Sequence, residues 1–236
     1  MSLSILIPCR NEEKIIKKTV KKIIKKLDKI DFELVLIDDY SNDYTYSIFK
    51  NFKNKKIKFY KNKIKGLGGA ISLGIKKSKK KFICIYMADM SDDINDLIKY
   101  YNLIKNNDYD AVLGSRFQKR SRVYNYPFFK FLLNRIFNLI TKIIFFSNYN
   151  DFTNAFKIYK KKTLTELLPL ISENFNVFLE IPLKIISRGY KYKIISINWH
   201  NRKLGYSKFK VKELGSKYLF TLIYCFLEKI LLNKKI

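Results

Sequence analysis

The sequence contains very little histidine and cysteine. A single histidine, His200, occurs among 236 residues. This excludes zinc sites built on several histidines, and any Ser-His-Asp triad would have to use this one residue. The three cysteines, Cys9, Cys84 and Cys225, have neither metal-ligand nor redox spacing, which is typical of a reducing compartment. The amino terminus leads directly into a predicted strand, so no signal peptide is expected.

Acidic residues are also scarce, since 20 Asp and Glu stand against 48 Lys and Arg for a net charge of +28. Such a charge predicts attraction to anionic lipid or to nucleic acid. The lysines are spread over the polar faces of predicted helices, and no nucleic-acid recognition motif accompanies them. A basic nucleic-acid-binding module is therefore the weaker alternative, and no nucleic-acid partner is predicted.

The chain has no uninterrupted apolar run of the ~20 residues that span a bilayer. Residues 128–146 are rich in Phe, Leu and Ile but include Lys130, Arg135 and Lys142, and the second apolar run, 218–232, is shorter. The run at 128–146 predicts a helix that either lies in a membrane interface or packs on the domain core. The run at 218–232 predicts a helix that is interfacial or docked on a partner. Hydrophobic residues make up 47% of the chain, which excludes extended disorder.

Short apolar runs alternate with helical patterns through the first half of the chain. The runs have the length and composition of buried strands. They cover residues 3–7, 32–37, 57–60, 82–86 and 111–114. This alternation predicts a doubly wound α/β layer, and the chain length suits one domain of ordinary size.

Acidic clusters follow two of these predicted strands. Asp89, Asp92 and Asp93 come directly after the fourth strand, and Asp38 and Asp39 follow the second. Ligands of α/β sheets bind beyond the carboxyl ends of the strands. Carboxylates there predict a divalent metal that neutralises phosphate oxygens. The alternative is a solvated turn in which Asp93 caps the next helix.

A glycine-rich segment, residues 66–70 (GLGGA), lies between a predicted strand and a predicted helix. Free backbone N–H groups at such a place could face a diphosphate or its sugar. The alternative is a tight turn without a ligand.

Five motifs occur in the order and rough spacing of family 2 glycosyltransferases. They are PCRNE at 8–12, DDYSND at 38–43, GLGGA at 66–70, GSRF at 114–117 and RKLGYSK at 202–208. Across residues 4 to about 209 the chain resembles the dolichyl-phosphate mannose synthase branch and its bacterial polyprenyl-phosphate relatives. The resemblance implies a GT-A fold, an α/β mixed sheet flanked by helices, with interfacial helices in the second half. It implies a nucleotide-sugar half at 1–117, an acceptor half at 118–211 and an amphipathic helix at 212–236.

The resemblance also implies a donor pocket and a metal motif. The residues carried over to the nucleotide-sugar pocket are Pro8, Arg10, Glu12, Asp39, Ser41, Gly66, Gly68, Ala88 and Asp89. In the metal motif Asp89 matches the second acid, whereas Met87 replaces the first acid and Ser91 replaces a glutamine. A divalent cation, Mg²⁺ or Mn²⁺, is therefore expected on Asp89 and Ser91, and Asp92 or Asp93 could compensate for the missing acid.

For the acceptor, the resemblance implies cationic contacts to a phosphate. The residues expected there are Arg116, Lys130, Ser207 and Lys208. Arg202 matches a loop that folds over the bound donor, and Asp151 belongs to a segment that resembles Asp-x-x-Ser-Gly-Phe. The residues expected in catalysis are Asp89, Arg116, Arg202 and Asp151.

The acceptor class decides whether a general base is needed. A lipid phosphate is largely deprotonated at neutral pH because its second pKa is ~6, whereas a hydroxyl acceptor needs a base, for which Asp151 is the candidate. We expect inverting transfer of a hexose from a nucleotide-diphosphate sugar to a polyprenyl phosphate, by a peripheral enzyme on the cytoplasmic face of an anionic membrane. The alternatives are a hydroxyl acceptor in cell-surface polysaccharide synthesis, a transferase inactivated by the Met87 replacement, and a basic membrane- or nucleic-acid-binding protein.

Overall fold

Strands and helices alternate through the first half of the chain in the computed structural model, which describes residues 2–201 and 211–233. The elements are β1 (Leu3–Cys9), α1 (Ile16–Lys26), β2 (Phe32–Asp38), α2 (Thr45–Lys50), β3 (Ile57–Lys61), α3 (Leu67–Lys77), β4 (Phe82–Ile85), α4 (Ile94–Asn106) and β5 (Ala111–Ser115). All five predicted strands are confirmed within two residues of their expected bounds.

The second half contains more sheet than the sequence predicts. Its elements are β6 (Val123–Tyr124), α5 (Phe128–Ile144), β7 (Lys157–Lys160), α6 (Lys161–Glu166), α7 (Val177–Ser187), β8 (Tyr192–Ser196), β9 (Trp199–His200) and α8 (Val211–Asn233). The two predicted apolar helices are confirmed as α5 and α8. The strands β7, β8 and β9 have no counterpart in the prediction, because short, half-polar runs carry a weak periodic signal.

Seven of the described strands form one mixed sheet in the order β3-β2-β1-β4-β7-β5-β8. The strands β1 to β4 run parallel to one another. Strand β7 is inserted antiparallel between β4 and β5, and β8 then pairs parallel with β5. The predicted α/β class with a mixed sheet is therefore confirmed, and the loops that follow β1, β2 and β4 meet at one edge of the sheet.

Helices cover both faces of this sheet. Alternate residues of β1 point to opposite faces, so that Leu3 and Ile5 belong to one apolar cluster and Leu6 to the other. The first cluster takes in α1 and α4, and the second takes in α3, α6, α7 and one stripe of α8. Each fully buried Leu, Ile or Phe contributes about 1.5–3 kcal/mol, so these two layers fix the positions of the loops at the sheet edge.

Helix α5 buries polar residues and exposes large apolar ones, which is the reverse of an ordinary surface helix. Its fully buried residues are the polar Asn138 and Thr141. Its exposed residues are large and apolar: Phe128, Phe129, Leu132, Ile136, Leu139, Ile140 and Ile143. Phe137 and Ile144 of α5 pack against the second cluster, so the helix lies on the domain core while most of its large apolar side chains stay exposed.

Helix α8 packs on the domain and also exposes an apolar stripe. Tyr218, Leu222 and Cys225 are buried against the second cluster. The exposed apolar residues on its other side are Leu219, Phe220, Ile223, Leu227 and Leu231. Among the described residues, none of the helices combines the length and the apolar character that crossing a membrane requires.

Candidate active site

The loops that follow β1 and β2 are held together by reciprocal hydrogen bonds. The backbone N–H of Asn11 donates to Oγ of Ser41, and Oδ1 of Asn11 accepts from the N–H of Asn42 at 2.8 Å. Asn11 has a left-handed backbone with φ of 52°, as does Tyr40 in the partner loop with φ of 57°. Such conformations in residues other than glycine are strained and concentrate at functional sites. Ser41 thus joins the loop after β1, which contains Arg10, to the loop after β2, which begins at the predicted nucleotide contact Asp39.

Asp39 fixes the glycine loop, residues 66–70, to the end of β2. Its Oδ1 accepts from the Gly66 N–H and from Nδ2 of Asn62, both at 2.8 Å. Asp39 is buried, and these bonds place its carboxylate beside the glycine loop. A hydrogen bond from Asp39 to a base or ribose stays a prediction, whereas its role in shaping the loop is visible.

Two N–H groups of the glycine loop are used within the protein and are not free to face a donor. The Gly66 N–H donates to Asp39, and the Gly68 N–H donates to the carbonyl oxygen of Glu173 at 2.9 Å. A Cβ added to Gly68 would overlap the carbonyl oxygen of Ser172, and Gly66 has φ of 121°. These two glycines are therefore required by a close backbone approach, and any contact of the loop to a donor must use other groups.

The acidic motif after β4 divides its side chains between two tasks. Oδ1 of Asp93 accepts from the Asn95 N–H at 2.9 Å, so Asp93 caps α4 as the alternative interpretation expects. Asp89, Ser91 and Asp92 instead line a cavity, together with Met87. The candidate that can compensate for the acid replaced by Met87 is therefore Asp92.

The electrostatics of Asp89 and Asp92 fit a divalent cation. Burial raises the pKa of Asp92 to about 8, with the charge of Asp89 adding to the shift and Arg116 opposing it. Mg²⁺ commonly takes one or two carboxylates and fills its remaining positions with substrate phosphates and water. The described residues hold no group of three or more His, Cys, Asp or Glu suited to a metal. Asp89 and Asp92, with the nearby Ser91, nonetheless fit an ion shared with a diphosphate.

Arg116 and Asp151 form a buried ion pair beside the cavity. Nε and Nη2 of Arg116 donate to the two carboxylate oxygens of Asp151 at 2.9 and 2.7 Å, and the Arg116 N–H donates to Asp151 at 2.8 Å. Burial acts to lower the pKa of Arg116, but the charge and hydrogen bonds of Asp151 outweigh it, so the pKa lies above its ordinary value. Arg116 is therefore a permanent cation.

This pairing bears directly on the predicted base. Asp151 is fully buried and does not line the cavity, whereas Arg116 does. Because three N–H donors already occupy its oxygens, the contacts favour a role of Asp151 in holding Arg116 over a role as general base. The sequence suggested both residues separately and gave no sign of their contact.

The cavity has a volume of about 520 Å³ and combines two kinds of wall. Its polar and charged lining includes Asp89, Ser91, Asp92, Arg116, Lys130 and Asn134. Its apolar lining comes from α5, α7 and α8 and the segment before α7, and includes Leu133, Ile136, Phe137, Ile140, Phe175, Phe178 and Tyr218. The predicted acidic residues, Arg116 and Lys130 are therefore brought together.

Three functional candidates were missed from the sequence. Tyr126 and Trp199 line the cavity, and each has its ring within 6 Å of the Arg116 guanidinium, at 5.7 Å. Lys157 lies buried behind the cavity and donates from Nζ to the carbonyl oxygens of Phe152 and Asn154. Burial lowers the pKa of Lys157 to about 7. These residues lack a motif of their own, since only the fold brings them to Arg116.

The remaining predicted residues have simple placements. Pro8 is buried near the end of β1. Ala88 is buried after β4, where its carbonyl oxygen accepts from Thr19 Oγ1 at 2.6 Å. Arg10 and Glu12 are half-buried in the loop after β1. Arg202, Ser207 and Lys208 lie outside the described residues. The chain approaches them from β9, where the His200 N–H donates to the Ser91 carbonyl at 3.0 Å.

The sheet order and the acidic cavity at its edge define a nucleotide-diphospho-sugar transferase fold of the GT-A type. Residues 4–168 match the model of glycosyl transferase family 2, and the chain belongs to this family.

Two curated relatives extend the match along most of the chain. A dolichol-phosphate mannosyltransferase of Pyrococcus furiosus is 27% identical over 222 residues, which are 91% of this chain and 61% of that protein. The chain thus spans less than two thirds of that relative's length. An uncharacterized protein of Methanocaldococcus jannaschii is 28% identical over 223 residues, 93% of this chain and 90% of its own.

Solved structures confirm the fold. Glucosyl-3-phosphoglycerate synthase of Mycobacterium tuberculosis, in complex with Mn²⁺, uridine diphosphate and phosphoglyceric acid, superposes with a TM-score of 0.70 at 16% identity, covering 95% of this chain and 78% of that one. Its complex with phosphoglyceric acid alone gives a TM-score of 0.71. The predicted GT-A fold is therefore confirmed.

Proposed function

We propose that this glycosyltransferase moves a hexose from a nucleotide-diphosphate sugar to a polyprenyl phosphate at a membrane surface, with inversion. The observation that carries the proposal is the cavity, in which acidic and cationic side chains share one space with apolar side chains of α5, α7 and α8. A sugar acceptor would not need the apolar wall, and a nucleic acid would not need the carboxylates. The similarity to a dolichol-phosphate mannosyltransferase supports the same acceptor class.

The chemistry assigns a task to each charged group. Loss of a nucleoside diphosphate develops negative charge, which a divalent ion bound at Asp89 and Asp92 would neutralise. Arg116, held by Asp151, and Lys130 present fixed positive charge to the same cavity and suit the acceptor phosphate. Because that phosphate is already ionised near pH 7, the chain needs to orient it and need not take a proton from it.

The size of the cavity agrees with a lipid head rather than a whole lipid. Its volume of about 520 Å³ is ordinary for a small-molecule site and leaves no room for a whole polyprenyl chain. The rest of the lipid would lie along the exposed apolar residues of α5 and α8.

A panel assay tests the acceptor. Radiolabelled UDP and GDP sugars should label polyprenyl phosphate. Lys130→Ala should raise the acceptor KM more than the donor KM, because the lost charge lines the acceptor cavity. Lys142→Ala, on the same helix but outside the lining, is the control and should leave both unchanged. Labelling of a free sugar with none of polyprenyl phosphate would overturn the acceptor and favour the polysaccharide alternative.

The exposed apolar residues of α5 support membrane attachment. Phe128 is 78% exposed and Phe129 is 69% exposed, a pattern that water disfavours and a lipid interface accepts. Polar side chains hold the opposite face of the helix, since Asn134 and Asn138 both donate to Oγ1 of Thr153, at 2.7 and 3.3 Å. The proposed occupant of the apolar face is therefore an anionic bilayer surface, toward which the charge of +28 attracts the protein.

Sedimentation with anionic liposomes tests this attachment. Leu139 and Ile143 are exposed on α5 and do not line the cavity. A fully buried side chain of this size contributes about 1.5–3 kcal/mol, so Leu139→Glu with Ile143→Glu should weaken binding at least ~10-fold, including the part that resists salt. Ile64→Glu, at an exposed apolar residue near the glycine loop, is the control. An equal loss of liposome binding in the α5 variant and in Ile64→Glu would show that charge alone, and no apolar face, holds the protein to lipid.

A further inference from the structure

One short segment contacts the glycine loop, the cavity and helix α8. This bridging segment, residues 171–176, precedes α7. Its Glu173 carbonyl oxygen accepts from the Gly68 N–H, and its Phe175 lines the cavity. The backbones of the segment and the glycine loop touch so closely that no side chain fits at Gly68. A shift of the segment therefore moves the glycine loop.

A buried carboxylate of α7 fixes the start of the segment. Oε1 and Oε2 of Glu180 accept from the Ile171 and Ser172 N–H groups at 2.9 and 2.8 Å. Glu180 is fully buried and pairs with the buried Lys184 at 2.7 Å. Buried polar groups without partners are costly, so each of these contacts restricts the segment to one position.

A hydroxyl of α8 fixes the end of the segment. Oγ1 of Thr221 accepts from Nδ2 of Asn176 at 2.9 Å and lies 3.4 Å from Oγ of Ser172. All three side chains are buried. Thr221 thus links α8, whose outer face carries exposed apolar side chains, to the loop on the nucleotide side of the site.

We propose that Thr221 and Glu180 are positioning residues for the nucleotide-sugar donor, acting through the bridging segment on the glycine loop. The inference rests on the proposed function for the identity of the donor. It assigns a donor effect to a helix that also lines the cavity through Tyr218 and pairs with the segment through Lys217 and Glu173. Losing the Thr221 hydroxyl leaves Asn176 Nδ2 without that acceptor, and the segment that holds Gly68 then relaxes.

Steady-state kinetics of Thr221→Val test the proposal. Valine keeps the shape, so we expect the donor KM to rise about 3- to 10-fold, the equivalent of one net hydrogen bond, with a smaller change in the acceptor KM. Thr221→Ser keeps the hydroxyl and should restore the donor KM. Leu222→Val removes volume from the same helix but keeps the Thr221 hydroxyl, and it should leave the donor KM unchanged. A rise confined to the acceptor KM, or an unchanged donor KM in Thr221→Val, overturns the inference.

Substitution of Glu180 provides a second test of the proposal. Because Glu180→Gln alone would leave Lys184 buried without its partner, the charge is removed from both in Glu180→Gln with Lys184→Met. This variant should also raise the donor KM, and calorimetric titration with UDP and GDP should show weaker binding. A wild-type protein that binds neither nucleotide would overturn the proposed function. Wild-type binding and turnover with unchanged nucleotide affinity in both variants would overturn the positioning role alone.

Discussion

Asp151→Asn is expected to destabilise the protein by about 3–5 kcal/mol, the usual cost of removing one partner from a buried ion pair. The Arg116 guanidinium is buried and gives two of its donors to Asp151, at 2.9 and 2.7 Å. Asparagine preserves the shape but cannot neutralise this cation. Activity should fall toward every acceptor alike, because Arg116 would lose its fixed place at the cavity.

Urea unfolding measures the loss of stability in Asp151→Asn. An unchanged m-value would show that only stability has altered. Asp108→Asn is the matched control, since Asp108 also pairs with lysines, Lys160 and Lys191, but its side chain is 78% exposed. Exposed pairs contribute little, so this variant should unfold with the wild type. If Asp151→Asn were as stable as the wild type and lost activity only toward hydroxyl acceptors, Asp151 would be the general base.

Local sequence signals predicted the parts of the fold that depend on local physics. The strand at 82–86 followed by acids, and the helix that begins after Asp93, are readable because apolar runs and caps act over a few residues. The pairing of Arg116 with Asp151 joins residues 35 positions apart. No periodicity reports such a contact, and the motif resemblance named both residues without relating them.

Helix α5 shows a second limit of the sequence signal. Its periodicity predicts an amphipathic helix, and the helix exists. The pattern cannot tell which face meets protein, because the usual rule assumes water outside. Here Asn138 and Thr141 face inward and find partners at Thr153 and at the Phe137 carbonyl. The contacts of Gly66 and Gly68 were unreadable for a related reason, since these glycines pack on Ser172 and Glu173, about a hundred residues later in the chain.

The second large effect concerns the acidic motif. Asp89→Asn should lower kcat by about 10²- to 10³-fold, the loss seen when one fixed group that stabilises developing charge is removed. Asp89 lines the cavity and its Oδ1 accepts from the Ser91 N–H at 3.1 Å, so asparagine can keep the geometry while losing the charge. The fold should be intact by circular dichroism and urea unfolding.

Asp93→Asn is the control for the loss of charge in the same motif. Asp93 caps α4, and asparagine caps as well as aspartate, so activity and stability should both be kept. Asp92→Asn distinguishes whether Asp92 supplies the acid that Met87 replaces. If it does, Mn²⁺ binding in the presence of a nucleoside diphosphate should weaken in Asp89→Asn and Asp92→Asn but not in Asp93→Asn. Turnover that is indifferent to EDTA, with full activity in Asp89→Asn, would mean that Arg116 and Lys130 stabilise the leaving diphosphate without a metal.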